Sequence, residues 1–453
     1  MDSIKGKSVV DLNSDCIMHL FMFLPLTDRL RLAFVNNLFD EAIRHFIQFD
    51  NISMDELIEN FSTQQVEELF QRFGTHIKKI NCFLQNQENV NLPSESIRKY
   101  FKSISNHCHC IEEIVIRYPW IPDYSIYERI FQSARRISKV NVAYGERLQG
   151  KFFSPNEFDS QLSRLFQDLP LKSLDVSHQC DLIGKFLPKL KHLTEVNLEY
   201  CALLEPKHLT DFLNVAKLKS LNIVNCPKLT GSTFETLYRT QTELQSIAIS
   251  NNYSRCHLEV VGRLEALRHI RFDDHSDEML KLRELLNELV QHHANDLETL
   301  EIYNDFTYRQ QSAIILQTIS ELKNLRKLVL PDIDPDSDDG IKRIIKKCHQ
   351  LEELSIVSEN GLWAKDETLL LIIAAKHLSH LRIISKFQIK TTLLKDFYQI
   401  LKAKNLPLDM YVDERNIDVS VLNTPEYKEH EKLLRIHVNE VNIDDILTNS
   451  YLF

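Results

Sequence analysis

Three stretches of this 453-residue chain carry residue types able to do chemistry. "HCHC", His107 to Cys110, brings thiols and imidazoles together, the donors that zinc prefers. "GERLQGKF", Gly145 to Phe152, follows a strand-like "KVNVAY" and comes within one residue of a phosphate-cradling loop. "DIDPDSDDG", Asp332 to Gly340, has the acidic density of a calcium loop.

Each departs from its chemistry at the position that matters. Cys108 stands three residues before Ile111, the slot that Cys348 occupies before Leu351, so a buried helix end accounts for it without a metal. Phe152 replaces the hydroxyl that would hold magnesium, and Pro155 interrupts the helix that should follow. Counting from Asp334, the sixth position is Asp339 where a calcium loop needs Gly, and the twelfth is Ile345 where it needs Glu. A solvated loop and helix N-cap accounts for the stretch; with "DDHSDE" from Asp273 it would also offer an acidic rim to a basic partner. The chain has no G-x-S-x-G and no H-E-x-x-H. The expectation is a non-enzyme with no cofactor and no metal.

Composition narrows the class. The formal charge is −10, which argues against a nucleic-acid grip built on clustered Lys and Arg. Only 9 glycines are present, too few for nucleotide-cradling loops to be expected. The 9 cysteines are odd in number and widely spread, as in a reduced cytoplasmic or nuclear protein with buried thiols. The longest early apolar run, Ile17 to Leu26, is interrupted by His19 and flanked by Asp11, Asp15, Arg29 and Arg31. It fits neither an export signal nor a span of about 20 apolar residues, so no membrane association is expected.

The elements that must position any site come from a repeat. From residue 77 a pattern L-x-x-L-x-L, with Ile, Val or Phe allowed, recurs in twelve units, from "IKKINC" at Ile77 to "LSHLRI" at Leu378. The steps run from 22 to 34 residues, mostly within the roughly 20–29 expected of stacked strand–helix repeats. The L-x-L end alternates as a strand with one buried face does, and a turn and a helical stretch follow. In "NCPKLTGSTFETLYRTQTEL" Pro227 and Gly231 punctuate and Ser232 or Thr233 can cap. No unit can bury its own face, so the units must stack. The residue three before each first anchor is mostly small or apolar, Val215 and Ala375 among them.

Ahead of the repeats, "LNSDCIMHLFMFLPLTDRLRLAF" reads as helices. Asn13 or Ser14 can cap the first, with Ile17, Leu20, Phe21 and Leu24 on one face and Pro25 ending it. Thr27 can cap a second, with Leu30, Ala33 and Phe34 apolar; Asn36 or Asn37 opens a third, with Phe39, Ala42, Ile43 and Phe46. Met18, Met22 and Phe23 lie off the first helix's inward face, more apolar surface than a small bundle can cover. That surplus serves either a cap against the first repeat or a docking surface.

Two resemblances follow. The repeats, with Cys201 and Cys226 eight residues after their first anchors, resemble cysteine-type leucine-rich repeats. The opening stretch resembles an F-box: Leu12, Ile17, Leu20, Phe23 to Leu26, Asp28, Leu30, Leu32, Val35, Phe39 and Ala42 match its order and spacing, with Asn13 where the family has Pro and Asn36 where it has Cys. Together they imply an α/β leucine-rich-repeat solenoid, a horseshoe of about 12–13 units with a parallel sheet on its concave face, carrying an N-terminal three-helix F-box. The expected divisions are an F-box over 1–48, a helical linker and cap over 49–76, repeats over 77–412 and a C-terminal cap over 413–453, where "KLLRIHV" offers a last strand.

The resemblance implies a substrate-recognition subunit of an SCF-type ubiquitin ligase, cytoplasmic or nuclear. Its partners would be the Skp adaptor, through it a cullin and a RING subunit, and an unknown protein substrate. Leu12, Ile17, Leu20, Phe21, Leu24, Pro25, Leu30, Val35 and Phe39 are the expected adaptor contacts, some of which must instead hold the bundle together. On the concave face, Glu195, Asn197, Glu199, Ser220, Asn222, His269, Arg271 and Asp273 are the candidate substrate contacts, with Trp120 from an inserted segment. The rival class is a ligase-independent scaffold. A receptor that needs a small ligand would require a pocket for which no residue set stands out.

Overall fold

A computed structural model describes residues 12–46, 52–82, 94–118, 125–144, 154–251, 257–274, 280–304, 312–330, 338–357, 366–384, 389, 391–413 and 416–439. The chain divides into two compact units, Met1–Asn197 and Leu198–Phe453.

The first unit opens with three helices, α1 (Ser14–Phe21), α2 (Leu26–Val35) and α3 (Asn37–Phe46). Asn13 caps α1 by accepting the Cys16 N–H at 2.9 Å, and Asn36 caps α3 by accepting the Leu38 N–H at 2.9 Å. The helix α2 starts two residues earlier than a Thr27 cap would set it, with Pro25 at its N-cap position. Proline there brings a fixed φ and gives up no needed donor. Then come β1 (Ile52–Ser53), α4 (Met54–Asn60), α5 (Thr63–Phe73), β2 (Lys79–Asn81), α6 (Ser94–His107), β3 (Glu113–Tyr118), α7 (Ser125–Ser133), β4 (Lys139–Tyr144), α8 (Pro155–Phe166), β5 (Ser173–Asp175) and β6 (Glu195–Asn197). These six strands pair in chain order, all parallel.

The second unit continues the alternation: α9 (Pro206–Leu213), β7 (Ser220–Asn222), α10 (Gly231–Thr240), β8 (Ser246–Ser250), β9 (His269–Asp274), α11 (Leu280–His293), β10 (Thr299–Asn304), α12 (Ser312–Ile319), β11 (Lys327–Leu330), α13 (Asp338–Lys347), β12 (Glu353–Val357), α14 (Asp366–Ile373), β13 (His380–Ile384), α15 (Thr391–Lys404), β14 (Leu408–Asp413), α16 (Pro425–His430) and β15 (Leu434–Asn439). Among the described residues its nine strands are again parallel and in chain order. Both units are α/β leucine-rich-repeat solenoids, and the twelve anticipated units coincide with β2 to β13.

Paired strands also lie outside residues 77–412: β1 falls within 49–76 and β15 within 413–453. β1 is two residues long and lacks the L-x-x-L-x-L signal, whereas Leu434 and Ile436 of β15 keep the inward alternation.

The core follows the anchors. Ile270 and Phe272 of β9, Leu300 and Ile302 of β10, and Leu354 and Ile356 of β12 are buried against the helices. Each such side chain contributes roughly 1.5–3 kcal/mol. The two shortest repeat steps leave no room for an α-helix, and 3₁₀ turns Leu187–Lys189 and Leu258–Arg263 take its place. The slot before the first anchor shifts by one in the unit at Leu218: Val215 is exposed, and Ala216 fills the core instead. In the next unit Gln241 occupies the slot, fully buried, accepting from the Leu218 N–H at 2.9 Å and donating to the Leu213 carbonyl at 2.6 Å and the Ala216 carbonyl at 3.1 Å. After β5 to β7 the chain turns through left-handed residues, His178 (φ 60), Tyr200 (φ 58) and Asn225 (φ 56).

Gly74 joins α5 to β2, where a Cβ would stand 2.6 Å from the His107 carbonyl oxygen at the end of α6. Gly74→Ala must therefore push backbone from backbone, and it is expected to destabilise the first unit by roughly 1–3 kcal/mol. Gly340→Ala meets Cβ and Cδ1 of Leu316 at 2.7 Å, side-chain atoms and not a carbonyl, and should cost less. Thermal unfolding of the two variants side by side checks the order.

Candidate functional site

The chemistry-bearing stretches resolve first. Cys108 caps the end of α6, fully buried, its N–H donating to the Ile104 carbonyl at 2.8 Å. Burial pushes its thiol well above the ordinary cysteine value. No group of His, Cys, Asp and Glu among the described residues has the arrangement of a metal site. Gly145 to Phe152 lies outside the described residues, as do Trp120 and most of the two acidic loops; Asp338 to Gly340 opens α13.

Cys226 donates its thiol to the Leu198 carbonyl at 3.1 Å, and burial raises its pKa to about 12. Cys348 is raised to about 12 for the same reason. Because the thiolate is the reactive form, iodoacetamide at pH 8 should label exposed Cys16 in the native protein and spare Cys82, Cys108, Cys226 and Cys348. Peptide mass mapping before and after denaturation reads this directly.

The three-helix segment sorts the expected adaptor residues into two sets. Ile17, Phe21, Leu30 and Phe39 are buried and form its core, with the Phe21 and Phe39 rings 5.7 Å apart. Leu24 is half-buried and Pro25 exposed. Leu12, Leu20 and Val35 point outward. So do Met22 and Phe23, at 60% and 75% exposure, which the expected contact set omits. Of the eleven exposed large apolar side chains among the described residues, five lie between Leu12 and Val35, a density that a segment packed solely on itself does not explain.

The same segment also packs on the first repeats, by another side. Phe34 meets Phe61 at 6.2 Å between ring centroids; Arg72 lies 5.4 Å over Phe34 and Arg31 lies 5.9 Å over Phe61. Arg31 also donates to Asn60 Oδ1 at 2.8 Å. Capping and outward display are thus carried by different side chains. Arg29 supports the display by donating through Nε to the Leu24 carbonyl at 2.6 Å, tying α2 to the turn that carries Met22 and Phe23.

The polar sheet face divides less as anticipated. On β6 in the first unit, Glu195 is exposed and Asn197 half-buried. In the second unit Ser220 and His269 are partly exposed, and His269 shares a hydrogen bond with Thr299 at 3.0 Å. Glu199, Asn222, Arg271 and Asp273, expected to contact substrate, are buried and bond one another. Arg271 donates through Nε to Asp273 Oδ1 at 2.8 Å and through Nη2 to Asp273 Oδ2 at 2.6 Å and Glu199 Oε1 at 3.0 Å. Asn222 donates to Glu199 Oε2 at 3.0 Å, and the Tyr303 ring lies 5.1 Å from the guanidinium.

The physical reason is Ala248. It stands in register between Asn222 and Arg271, and its small side chain leaves the arginine room to cross β8. Burial first, and the Asp273 charge with it, raise the Glu199 pKa more than Arg271 and Asn222 lower it. Burial alone would lower Arg271, but Asp273 and Glu199 reverse that and keep it charged. These four side chains hold the sheet together and are withdrawn from a partner.

Further along the second unit the face is open. Arg382, Tyr411 and His437 stand on β13, β14 and β15 beside Asp409 and Arg435. They occupy the same between-anchor positions, a signal present in "LSHLRI" and "KLLRIHV" but followed only in the middle units.

The fold is that of a leucine-rich-repeat protein. No family model matches the chain, and no curated protein matches it. Among solved structures it is similar to one described as a complex of Rad7 and Elc1 in yeast, at 12% identity and TM-score 0.46 over 95% of this chain and 94% of that one. It is also similar to the leucine-rich-repeat-containing protein LegL7 from Legionella pneumophila, at 13% identity and TM-score 0.40 over 71% and 96%. No helix among the described residues is long and apolar enough to cross a membrane.

Proposed function

We propose that the chain is a non-catalytic substrate-recognition subunit of an SCF-type ubiquitin ligase. In this reading the N-terminal helices dock on the Skp adaptor, and the repeats hold a target protein for ubiquitination. The observation that carries it is the outward set Leu12, Leu20, Met22, Phe23 and Val35, on helices whose other side is fixed to α4 and α5 by Phe34, Phe61, Arg31 and Arg72. Large apolar side chains held on a rigid mount lose little entropy on docking. The catalysis belongs to the other subunits; this chain supplies effective concentration by holding a target lysine near the charged ubiquitin carrier.

Affinity purification of the full chain from cells, blotted for the Skp adaptor and for a cullin, tests the reading. Both are expected. Adaptor without cullin would make the chain a scaffold outside the ligase, and absence of the adaptor would remove the docking role.

A further inference from the structure

We propose that the outward face of β13 to β15 is a recognition subsite for an anionic side chain in an acidic segment of a partner protein, with Arg382 supplying the charge. The assignment rests on the repeats being the partner-holding part of the chain.

The strands set the geometry. Leu381 and Ile383, Met410 and Val412, and Leu434 and Ile436 point into the core, so Arg382, Tyr411 and His437 alternate outward. Arg382 pairs in register with Tyr411, and Tyr411 with His437. Neighbouring strands lie about 4.8 Å apart, which is stacking distance for flat groups. The Tyr411 and His437 rings accordingly stack with centroids 4.6 Å apart and planes at 14°, and the Arg382 guanidinium lies 5.4 Å from the Tyr411 centroid. The stack holds the guanidinium in place while leaving its N–H groups free to donate.

Charge then decides the occupant. Asp409, on the adjoining column of β14, accepts from Arg435 Nη2 at 2.7 Å and faces His437 Nε2 at 3.1 Å and His380 Nε2 at 3.8 Å, so its charge is matched. Arg382 is exposed and makes no ion pair among the described residues. In register on either side of it stand Ser355 on β12 and Tyr411 on β14, and the carboxylate of that column, Glu301 on β10, lies three strands away and is paired with Lys327.

Arg271, in the same column on β9, is an internal comparison. It too lies beside a tyrosine, but two residues along its strand stands Asp273, which it grips with two hydrogen bonds. Two residues after Arg382 stands Ile384. Arg271 finds its carboxylate on its own strand; among the described residues Arg382 pairs with none, and in this proposal the partner supplies it. A planar fork favours two-pronged carboxylate or phosphate binding over other anions.

Fluorescence anisotropy of the purified full chain, with labelled octapeptides alternating glycine with glutamate, glutamine or phosphoserine, tests this. The glutamate peptide is expected to bind at least about tenfold tighter than the glutamine peptide, a difference of about 1.4 kcal/mol. Arg382→Gln should abolish that preference and Arg382→Lys should retain only part of it, with circular dichroism unchanged. Tighter Arg382-dependent binding of the phosphoserine peptide would support the anion subsite and make phosphate its source. Equal binding of the glutamate and glutamine peptides, or a preference that survives Arg382→Gln, overturns the proposal. No adaptor is present in the assay, so its failure is separate from failure of the docking reading.

Discussion

Leu20→Asp combined with Val35→Asp is expected to abolish adaptor co-purification while leaving the thermal midpoint of the chain essentially unchanged. Both side chains are exposed, Val35 at 73%, so a carboxylate at either position stays in water when the chain is free. On docking it would be forced into an apolar contact. Buried anchors of an interface typically cost 2 kcal/mol or more each when lost. Two together give about 4 kcal/mol, on the order of a thousandfold in affinity. Ile17→Asp serves as the contrast. Ile17 is buried, and a carboxylate there must unfold the bundle, so binding and the N-terminal transition would be lost together.

Arg271→Met is the second large effect. The side chain is buried against Asp273 and Glu199, and truncating one member of such a network strands charge away from water. A cost of about 3–5 kcal/mol is expected. The loss should shrink in acid. Without the guanidinium, the Glu199 carboxyl loses the charge that opposes burial, so its pKa, already raised by burial, rises further. An acid whose folded pKa is raised penalises the fold at pH above that pKa and ceases to do so as pH falls through it. The difference in unfolding midpoint between wild type and Arg271→Met should thus be smaller at pH 5 than at pH 7. An equal or larger difference at pH 5 would mean that stranded carboxylates are not the cause.

Much of the fold was legible because its signal is repeated. Each L-x-x-L-x-L placed two anchors on one side of a strand, and β2 to β13 follow that pattern down to the short steps that became 3₁₀ turns. β1 was not legible, since two residues carry no period.

The candidate surfaces were only half legible, for a different reason. Alternation says which way a side chain leaves the strand, but not whether a neighbour lies over it. Arg271 and Arg382 occupy equivalent positions by sequence. Asp273, Glu199 and the space above Ala248 bury the first, and Ser355 and Tyr411 beside the second leave it exposed. Likewise, the helical wheel placed Ile17, Leu20, Phe21 and Leu24 on one face. α3 covers Phe21 through Phe39 and leaves Leu20 in solvent. That partition depends on where a neighbouring helix sits, which no single helix's period contains.

The most direct test of the central claim is size-exclusion chromatography of the purified full chain mixed with purified Skp adaptor, with calorimetry on the same pair. The account predicts a stable one-to-one complex whose formation the Leu20→Asp, Val35→Asp variant prevents although it remains folded. Separate elution of the two wild-type proteins, or a complex that the variant forms equally well, would contradict it.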